Sequence, residues 1–103
     1  MRKLLATVSV VALIAALAAV AFASTPRVTW KIGTNKTVTI RHGGKVTWVW
    51  AGDAQHNVKG KGFKSPAHTN KGATYTHIFR TKGKFTITCT FHPGLMKTIV
   101  KVT

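Results

Sequence analysis

Three side chains that bind soft metal ions lie close together near the end of the chain. The only cysteine, Cys89, is followed by His92 and by Met96, the only methionine other than Met1. A thiolate and a thioether are soft donors and an imidazole is borderline, a mixture that suits copper better than zinc, magnesium or calcium. A thiolate, two imidazoles and a weak axial thioether form the blue-copper electron-transfer site. The spacing therefore predicts three ligands of one copper ion and requires a second histidine.

The second histidine is expected to be His56, in the stretch Gln55-His56-Asn57-Val58. This stretch follows the apolar run Val46-Thr-Trp-Val-Trp50, so His56 is placed near the end of a predicted strand. The other histidines lie beside glycines, in an irregular loop and between aromatic residues of a strand. Such positions are typical of solvated or packed side chains, and we expect none of these to bind the metal: His42, His68 and His77.

The arrangement of these residues resembles a known family. His56-Asn57 after one strand and Cys89-x-x-His92-x-x-x-Met96 before the last strand resemble the plastocyanin, amicyanin and pseudoazurin family of small blue copper proteins, the cupredoxins. The similarity runs from Lys36-Thr-Val-Thr-Ile to the closing strand 97–103. The family often has proline directly before the second histidine, where this chain has Phe91. The resemblance implies one type 1 copper ion per chain, bound by His56, Cys89, His92 and Met96.

The resemblance also implies roles for the residues around the ligands. Asn57 and Thr90 would join the two ligand-bearing segments by hydrogen bonds and stabilise the Cys89 sulfur. His92 would be the ligand at the solvent edge, through which electrons leave. Its neighbours in the loop would form an apolar exit patch around it: Phe91, Pro93, Gly94 and Leu95.

The beginning of the chain differs in composition from the rest. Two basic residues precede a largely apolar run from Leu4 to Val20, and Ala21-Phe22-Ala23 is typical of a signal-peptide cleavage site. We expect residues 1–23 to be a signal peptide and residues 24–103 to form one exported domain, which is periplasmic, cell-surface or secreted. An uncleaved anchor is the alternative, because about 20 apolar residues are long enough to span a bilayer.

The predicted domain is small for one that has no covalent cross-link. With Cys89 as its only cysteine, it has no internal disulfide. A metal ion that binds only the native state would stabilise the fold instead. Ligation would also explain an unpaired cysteine in an exported protein. The alternative is a buried and inert thiol.

Apolar and polar residues alternate with period two through most of residues 24–103, which predicts an all-β domain. Val28, Trp30 and Ile32 share one face of the first predicted strand. In the third strand the apolar residues occupy nearly every position, which is typical of burial on both faces. We expect a cupredoxin-like, Greek-key β-sandwich of about seven or eight strands.

Later strands position the cysteine. Ile87 and Cys89 share a face of one strand, which places the sulfur toward the core. Thr81-Lys82-Gly83 is predicted to be a tight turn between two strands. The segment 59–71 contains several glycines and a proline, and the sequence does not assign its structure.

The predicted domain carries a large positive charge. Residues 24–103 contain 14 of the 16 basic side chains and the only acidic one, Asp53, so their formal net charge is +13. Such a field raises encounter rates with acidic molecules. We expect an acidic redox partner, and leave an anionic membrane surface or a polyanion as alternatives. The domain is expected to be a monomer that recognises no specific nucleic acid.

Three functions remain after these observations. They are an exported electron carrier that cycles between Cu(I) and Cu(II), a copper carrier or scavenger with the same ligands, and a basic polyanion-binding module without metal. A single carboxylate leaves almost nothing for paired-acid or Ser-His-Asp catalysis, so we expect no enzyme. Most aromatic residues alternate with threonines and are needed for the core rather than for base stacking. Only Phe63 and Phe91 are outside such a pattern. The strand-loop-strand frame of the ligands favours electron transfer.

Overall fold

The computed structural model describes residues 25–103, which form eight β-strands joined by turns and loops. The predicted all-β class is confirmed, while the predicted signal peptide, residues 1–23, lies outside the described residues. Within residues 25–103 we found no helix long and apolar enough to cross a membrane. The strands are β1 (Arg27–Trp30), β2 (Asn35–Ile40), β3 (Lys45–Trp50), β4 (Lys59–Gly60), β5 (Phe63–Lys64), β6 (Thr74–Ile78), β7 (Gly83–Thr88) and β8 (Lys97–Val102).

The strands form two sheets. The three-stranded sheet has the order β1-β3-β6, with β1 parallel and β6 antiparallel to β3. The five-stranded sheet has the order β2-β8-β7-β4-β5, in which only β2 and β8 are parallel. The predicted turn at residues 81–83 does lie between two strands, β6 and β7. Because these strands belong to different sheets, the connection crosses the sandwich and does not close a hairpin.

The core is built from strand residues that face inward. Trp30, Trp48 and Trp50 have no exposed surface, and buried residues from both sheets pack in the same cluster. Thr47 is also buried, so the centre of β3 is covered on both faces as predicted. Among the described residues, the buried apolar side chains from Val28 to Val102 pack into one core cluster between the two sheets.

Strand directions assign the loops to two ends of the sandwich. β1, β3 and β7 finish where β2, β6 and β8 begin. We term this the ligand end, and its loops are 31–34, 51–57, 65–73 and 89–96. Backbone hydrogen bonds of 2.8 Å run there from Gly33 N–H to the Leu95 carbonyl and from Lys97 N–H to the Thr34 carbonyl. The loop after β1 therefore holds both sides of the loop before β8.

The opposite end of the sandwich carries loops 41–44 and 79–82, and we term it the basic end. There the N–H of His42 donates to the Thr103 carbonyl over 3.1 Å, and that of Gly43 donates to the Phe79 carbonyl over 2.6 Å. These bonds join the last residues of both sheets. The chain also begins β1 close to this end, because Arg27 lies beside Thr47, near the start of β3.

The sequence did not assign the segment 59–71. Its first part, residues 59–64, forms the edge of the five-stranded sheet. Its two short strands pair Lys59 with Lys64 and Gly60 with Phe63. A Cβ atom on Gly60 would lie 2.6 Å from side-chain atoms of both Phe63 and Ile87, so this close approach requires glycine. Phe63 packs against the core, with its ring stacked on His77 at a centroid distance of 3.6 Å. Phe63 is therefore not free to stack on bases, although its position outside the strand pattern had suggested that it was.

Candidate metal centre

Cys89 directly follows β7 and points into the sandwich. The alternation along this strand puts it on the same face as Ile87, and both side chains are buried. The sulfur lies 3.9 Å from Nδ1 of His56. The strand thus holds a soft donor at the ligand end, away from solvent, as the sequence predicted.

His56 comes from the loop after β3 and is fixed through its backbone. Its N–H donates to the His68 carbonyl and its own carbonyl accepts from the His68 N–H, each over 3.0 Å. The indole of Trp50 donates to the same His68 carbonyl over 2.9 Å. Burial is the main cause that lowers the pKa of His56, and the neighbouring His92 lowers it further, against a smaller opposing effect of the Gln55 backbone. A neutral imidazole keeps a lone pair for a metal.

His92 approaches from the other side of the site and is half-buried. Its Nε2 lies 3.0 Å from the backbone carbonyl of Gln55. A carbonyl oxygen only accepts, so Nε2 carries the proton of the neutral ring and donates it to this bond. The lone pair is then on Nδ1, the nitrogen left for a metal. The rings of His56 and His92 lie edge to face with centroids 5.0 Å apart.

A tight turn connects His92 to Met96. The N–H of Leu95 donates to the His92 carbonyl over 3.0 Å, and Gly94 between them has a φ of +78°. Proline at the second position and a glycine with positive φ at the third are typical of a type II turn. Met96 follows this turn, is buried, and directly precedes β8. The turn therefore brings the thioether back into the interior within four residues of the histidine.

The donor atoms of three predicted ligands converge. Those of His56, Cys89 and His92 all lie within 4.8 Å of one another, and Met96 lies nearby. Bonds of about 2.0–2.3 Å from a shared ion to nitrogen and sulfur would need only small side-chain movements from this arrangement. Two imidazoles and a thiolate with a neighbouring thioether fit a type 1 copper site. Within residues 25–103 no other group of three histidine, cysteine or acidic side chains is as close.

The remaining histidines have other contacts. His42 Nδ1 lies 3.1 Å from the Thr103 carbonyl at the basic end. His68 packs edge-on against Trp50 at a centroid distance of 5.5 Å. His77 stacks on Phe63 as described above. None of the three belongs to the converging group.

The two segments that carry His56 and Cys89 are joined by a pair of hydrogen bonds. Asn57 Oδ1 accepts from the Thr90 N–H, and Asn57 Nδ2 donates to Thr90 Oγ1, each over 2.9 Å. A third bond holds Asn57 from behind, since its own carbonyl accepts from the indole of Trp30 over 2.9 Å. The residues that follow the two ligands are therefore fixed relative to each other.

The apolar residues that flank His92 in the loop are exposed at the ligand end. Phe91 and Leu95 are 43% and 54% exposed, and Pro93 and Gly94 between them are exposed too. Ile32, 50% exposed in the loop after β1, belongs to the same end. The sequence had placed Ile32 on the buried face of β1. This was wrong because the strand ends at Trp30 and the chain then turns, with a bond of 3.0 Å from Thr34 N–H to the Lys31 carbonyl.

Comparison with solved structures places this geometry in a family. Amicyanin from Paracoccus versutus (Thiobacillus versutus) is 30% identical, with a TM-score of 0.64 over 79% of this chain and 83% of that one. A novel purple cupredoxin from Nitrosopumilus maritimus is 28% identical, with a TM-score of 0.59 over 65% of this chain and 77% of that one. The chain belongs to the cupredoxin family. No family model matches the sequence, and no curated protein is significantly similar to it.

A third similar solved structure is a mutant amicyanin described in its Cu(I) form. It is 25% identical to this cupredoxin and has a TM-score of 0.65. The alignment covers 78% of this chain and 83% of that one.

Sequence reasoning missed several residues that position the site of this cupredoxin. The indoles of Trp30 and Trp50 were assigned only to the core, yet each donates to a carbonyl beside the His56 segment. The Gln55 carbonyl, which orients His92, is a backbone atom and leaves no mark in the sequence. A tryptophan in a predicted strand indicates only that its buried indole N–H needs a hydrogen-bond acceptor. Which acceptor it finds depends on the tertiary structure.

Proposed function

We propose that this cupredoxin binds one type 1 copper ion through His56, Cys89, His92 and Met96 and acts as an exported electron carrier. The observation that carries the proposal is the convergence of the Cys89 sulfur with two imidazoles in a largely buried site. The bound copper would supply reversible Cu(I)/Cu(II) chemistry, which moves one electron without a substrate reaction. The Cu(I) structure of a related amicyanin supports this choice of metal.

The surroundings of the ligands favour a rigid site. The turn between His92 and Met96 is held by the loop after β1, and the His56 segment is held by His68 and Asn57. A ligand set fixed on both sides changes little between oxidation states, and small rearrangement keeps the barrier to electron transfer low. Burial of Cys89 and Met96 excludes water from their sulfur atoms. These features support an electron carrier.

The exposed apolar residues that flank His92, here termed the apolar ring, support this ligand as the point at which electrons leave. His92 is the least buried of the proposed ligands, and Phe91 and Leu95 flank it at the surface. A partner that covers this ring would bring its own redox centre close to the imidazole. Lysines are exposed at the same end, and we propose that they steer an acidic redox partner to it: Lys31, Lys71 and Lys97.

Copper delivery is the second candidate function, and it would use the same ligands. Transfer of the ion requires ligand exchange with an acceptor, so it favours an open site. Cys89 and Met96 are each 1% exposed, which favours retention of the ion over transfer.

The only carboxylate side chain, that of Asp53, is exposed in the loop after β3 and supports no acid-base pair, so we propose no enzymatic role.

The proposal is tested by loading purified residues 24–103 with copper. We expect one ion per chain, an intense blue colour from thiolate-to-Cu(II) charge transfer, and reversible one-electron reduction. Cys89→Ser should abolish the colour and leave the β-sheet circular dichroism unchanged. Thr86→Ser, an equally small change at an exposed position of β7, is the matched control and should stay blue. A colourless Cu(II) adduct of the unmodified protein would exclude the type 1 assignment.

A further inference from the structure

The basic end of the sandwich gathers exposed cations from separate parts of the sequence. Lys45 begins β3, and Arg80 and Lys82 lie in the connection from β6 to β7. Lys84 on β7 lies directly opposite Lys101 on β8. All five side chains are exposed. From this surface we propose that the basic end docks on anionic lipid headgroups and leaves the ligand end facing the aqueous phase.

No acidic side chain balances these charges. Asp53 is the only Asp or Glu in the sequence, and it follows β3 at the opposite end of the sandwich. Like charges placed directly opposite on neighbouring strands, as Lys84 and Lys101 are, weaken a sheet. An anionic surface brought against this end removes that repulsion. The fold thus keeps a cationic face that gains from an external anion.

When the apolar stretch stays attached, as in the alternative of an uncleaved anchor, the start of the chain favours a membrane surface as this anion. β1 begins at Arg27 near the basic end, and only residues 24–26 separate it from the apolar stretch 4–23. Three extended residues span at most roughly 10 Å. That is about the Debye length at physiological ionic strength, within which lysines interact with charged headgroups. Whenever the apolar stretch is in a bilayer, the basic end lies next to the headgroups.

Docking at this end orients the redox site. β3 and β7 each contain six residues, and six residues at about 3.3 Å each place the two ends roughly 20 Å apart. Headgroups at the basic end therefore leave the His92 surface open to a soluble partner. The exposed lysines of the ligand end remain available for that partner.

The test uses two variants of residues 24–103 with equal net charge. Lys82, Lys84 and Lys101 are changed to Gln in one, and Lys31, Lys71 and Lys97 in the other. Binding is measured by co-sedimentation with phosphatidylglycerol/phosphatidylcholine vesicles, and with phosphatidylcholine vesicles alone, at low and physiological salt. Removal of the apolar stretch ensures that only the folded domain contacts the lipid. Unfolding midpoints of both variants establish that they are folded.

We expect the unmodified domain to bind the anionic vesicles, to bind neutral vesicles negligibly, and to dissociate as salt rises. Each lysine near the surface contributes about fivefold, so the basic-end variant should lose roughly 100-fold in affinity, whereas the ligand-end variant should stay within about twofold. Equal losses in both variants, or no binding of the unmodified domain to anionic vesicles, would overturn the proposal. So would tighter binding to DNA of the same charge concentration than to the vesicles.

A second measurement covers the case in which the basic-end variant unfolds. Full-length protein in anionic vesicles is treated with trypsin, and the rate of cleavage after Arg80, Lys82 and Lys84 is compared with that after Lys31 and Lys71. Docking predicts protection at the basic end that is lost in high salt. Equal cleavage at both ends at low salt would contradict the proposed orientation.

Discussion

The indole N–H of Trp30 donates a hydrogen bond of 2.9 Å to the backbone carbonyl of Asn57, the residue directly after His56. Trp30 lies on β1 and is fully buried, so the bond connects the core to the proposed copper site. Trp50 makes a corresponding bond to the His68 carbonyl, which also pairs with His56. Two indoles thus hold the His56 segment from the side of the core.

Loss of the Trp30 indole should loosen this segment. Trp30→Phe leaves a buried carbonyl without its donor, which costs about 1–3 kcal/mol in the free energy of unfolding. Hydrogen exchange of the His56 amide should accelerate, and the visible absorption of the copper form should shift. Trp48→Phe is the control, because its indole bonds to Thr98 on β8, so a comparable loss of stability should leave the His56 amide unchanged. The same exchange rate in both variants would contradict this role of Trp30.

The axial ligand gives the second prediction. If Met96 is a weak donor that tunes the potential, Met96→Gln should retain copper and lower the reduction potential, because a harder oxygen donor favours Cu(II). Cyclic voltammetry and copper content measure the two quantities. A loss of copper as complete as in Cys89→Ser would show that Met96 has another role.

The stability of the apo protein should depend on pH through His77. Burial lowers the pKa of this ring, which is stacked on Phe63 and lies in a pocket that Lys61 and Arg80 also line. The unfolded chain therefore takes up a proton more readily than the folded one. The contribution to stability should be fully present above about pH 6.5, the ordinary value for histidine, and decrease as the pH falls through the lowered pKa.

Urea unfolding at several pH values, with His77→Gln beside the unmodified chain, isolates this effect. All other ionisable side chains are the same in both proteins, so their contribution cancels in the difference. We expect the advantage of the unmodified protein over His77→Gln to shrink between pH 7.5 and pH 5. A difference that is constant over this range would refute the prediction.

The rate at which an acidic electron donor reduces the copper form should depend on salt and on the exposed lysines of the ligand end. The rate constant of reduction should fall steeply between tens and hundreds of millimolar salt, as the Debye length decreases to about 8 Å or less. At low salt the variant with Lys31, Lys71 and Lys97 changed to Gln should react more slowly. The basic-end variant, of equal net charge, should react nearly as fast as the unmodified protein. Stopped-flow reduction measures both, and a salt-independent rate would contradict an acidic partner.

The sequence by itself determined the local features of this protein. Cys89, His92 and Met96 lie within eight residues, so their donor chemistry did not depend on any long-range contact. Alternation of apolar residues with period two predicted the β-strands and the inward direction of the Cys89 sulfur. The same local signal placed His56 after a strand. That these four side chains bind copper stays a prediction.

Only the tertiary structure decided which distant parts of the chain meet. Sheet order, the bridge between His56 and His68, and the approach of His56 to Cys89 all depend on strand pairing. Periodicity reports which face of a strand is buried, but it does not identify the neighbouring strand. For the same reason, periodicity does not show which lysines lie at the same end of the sandwich. Strand direction alone separated them into a ligand end and a basic end, because antiparallel strands bring residues far apart in the chain to the same edge.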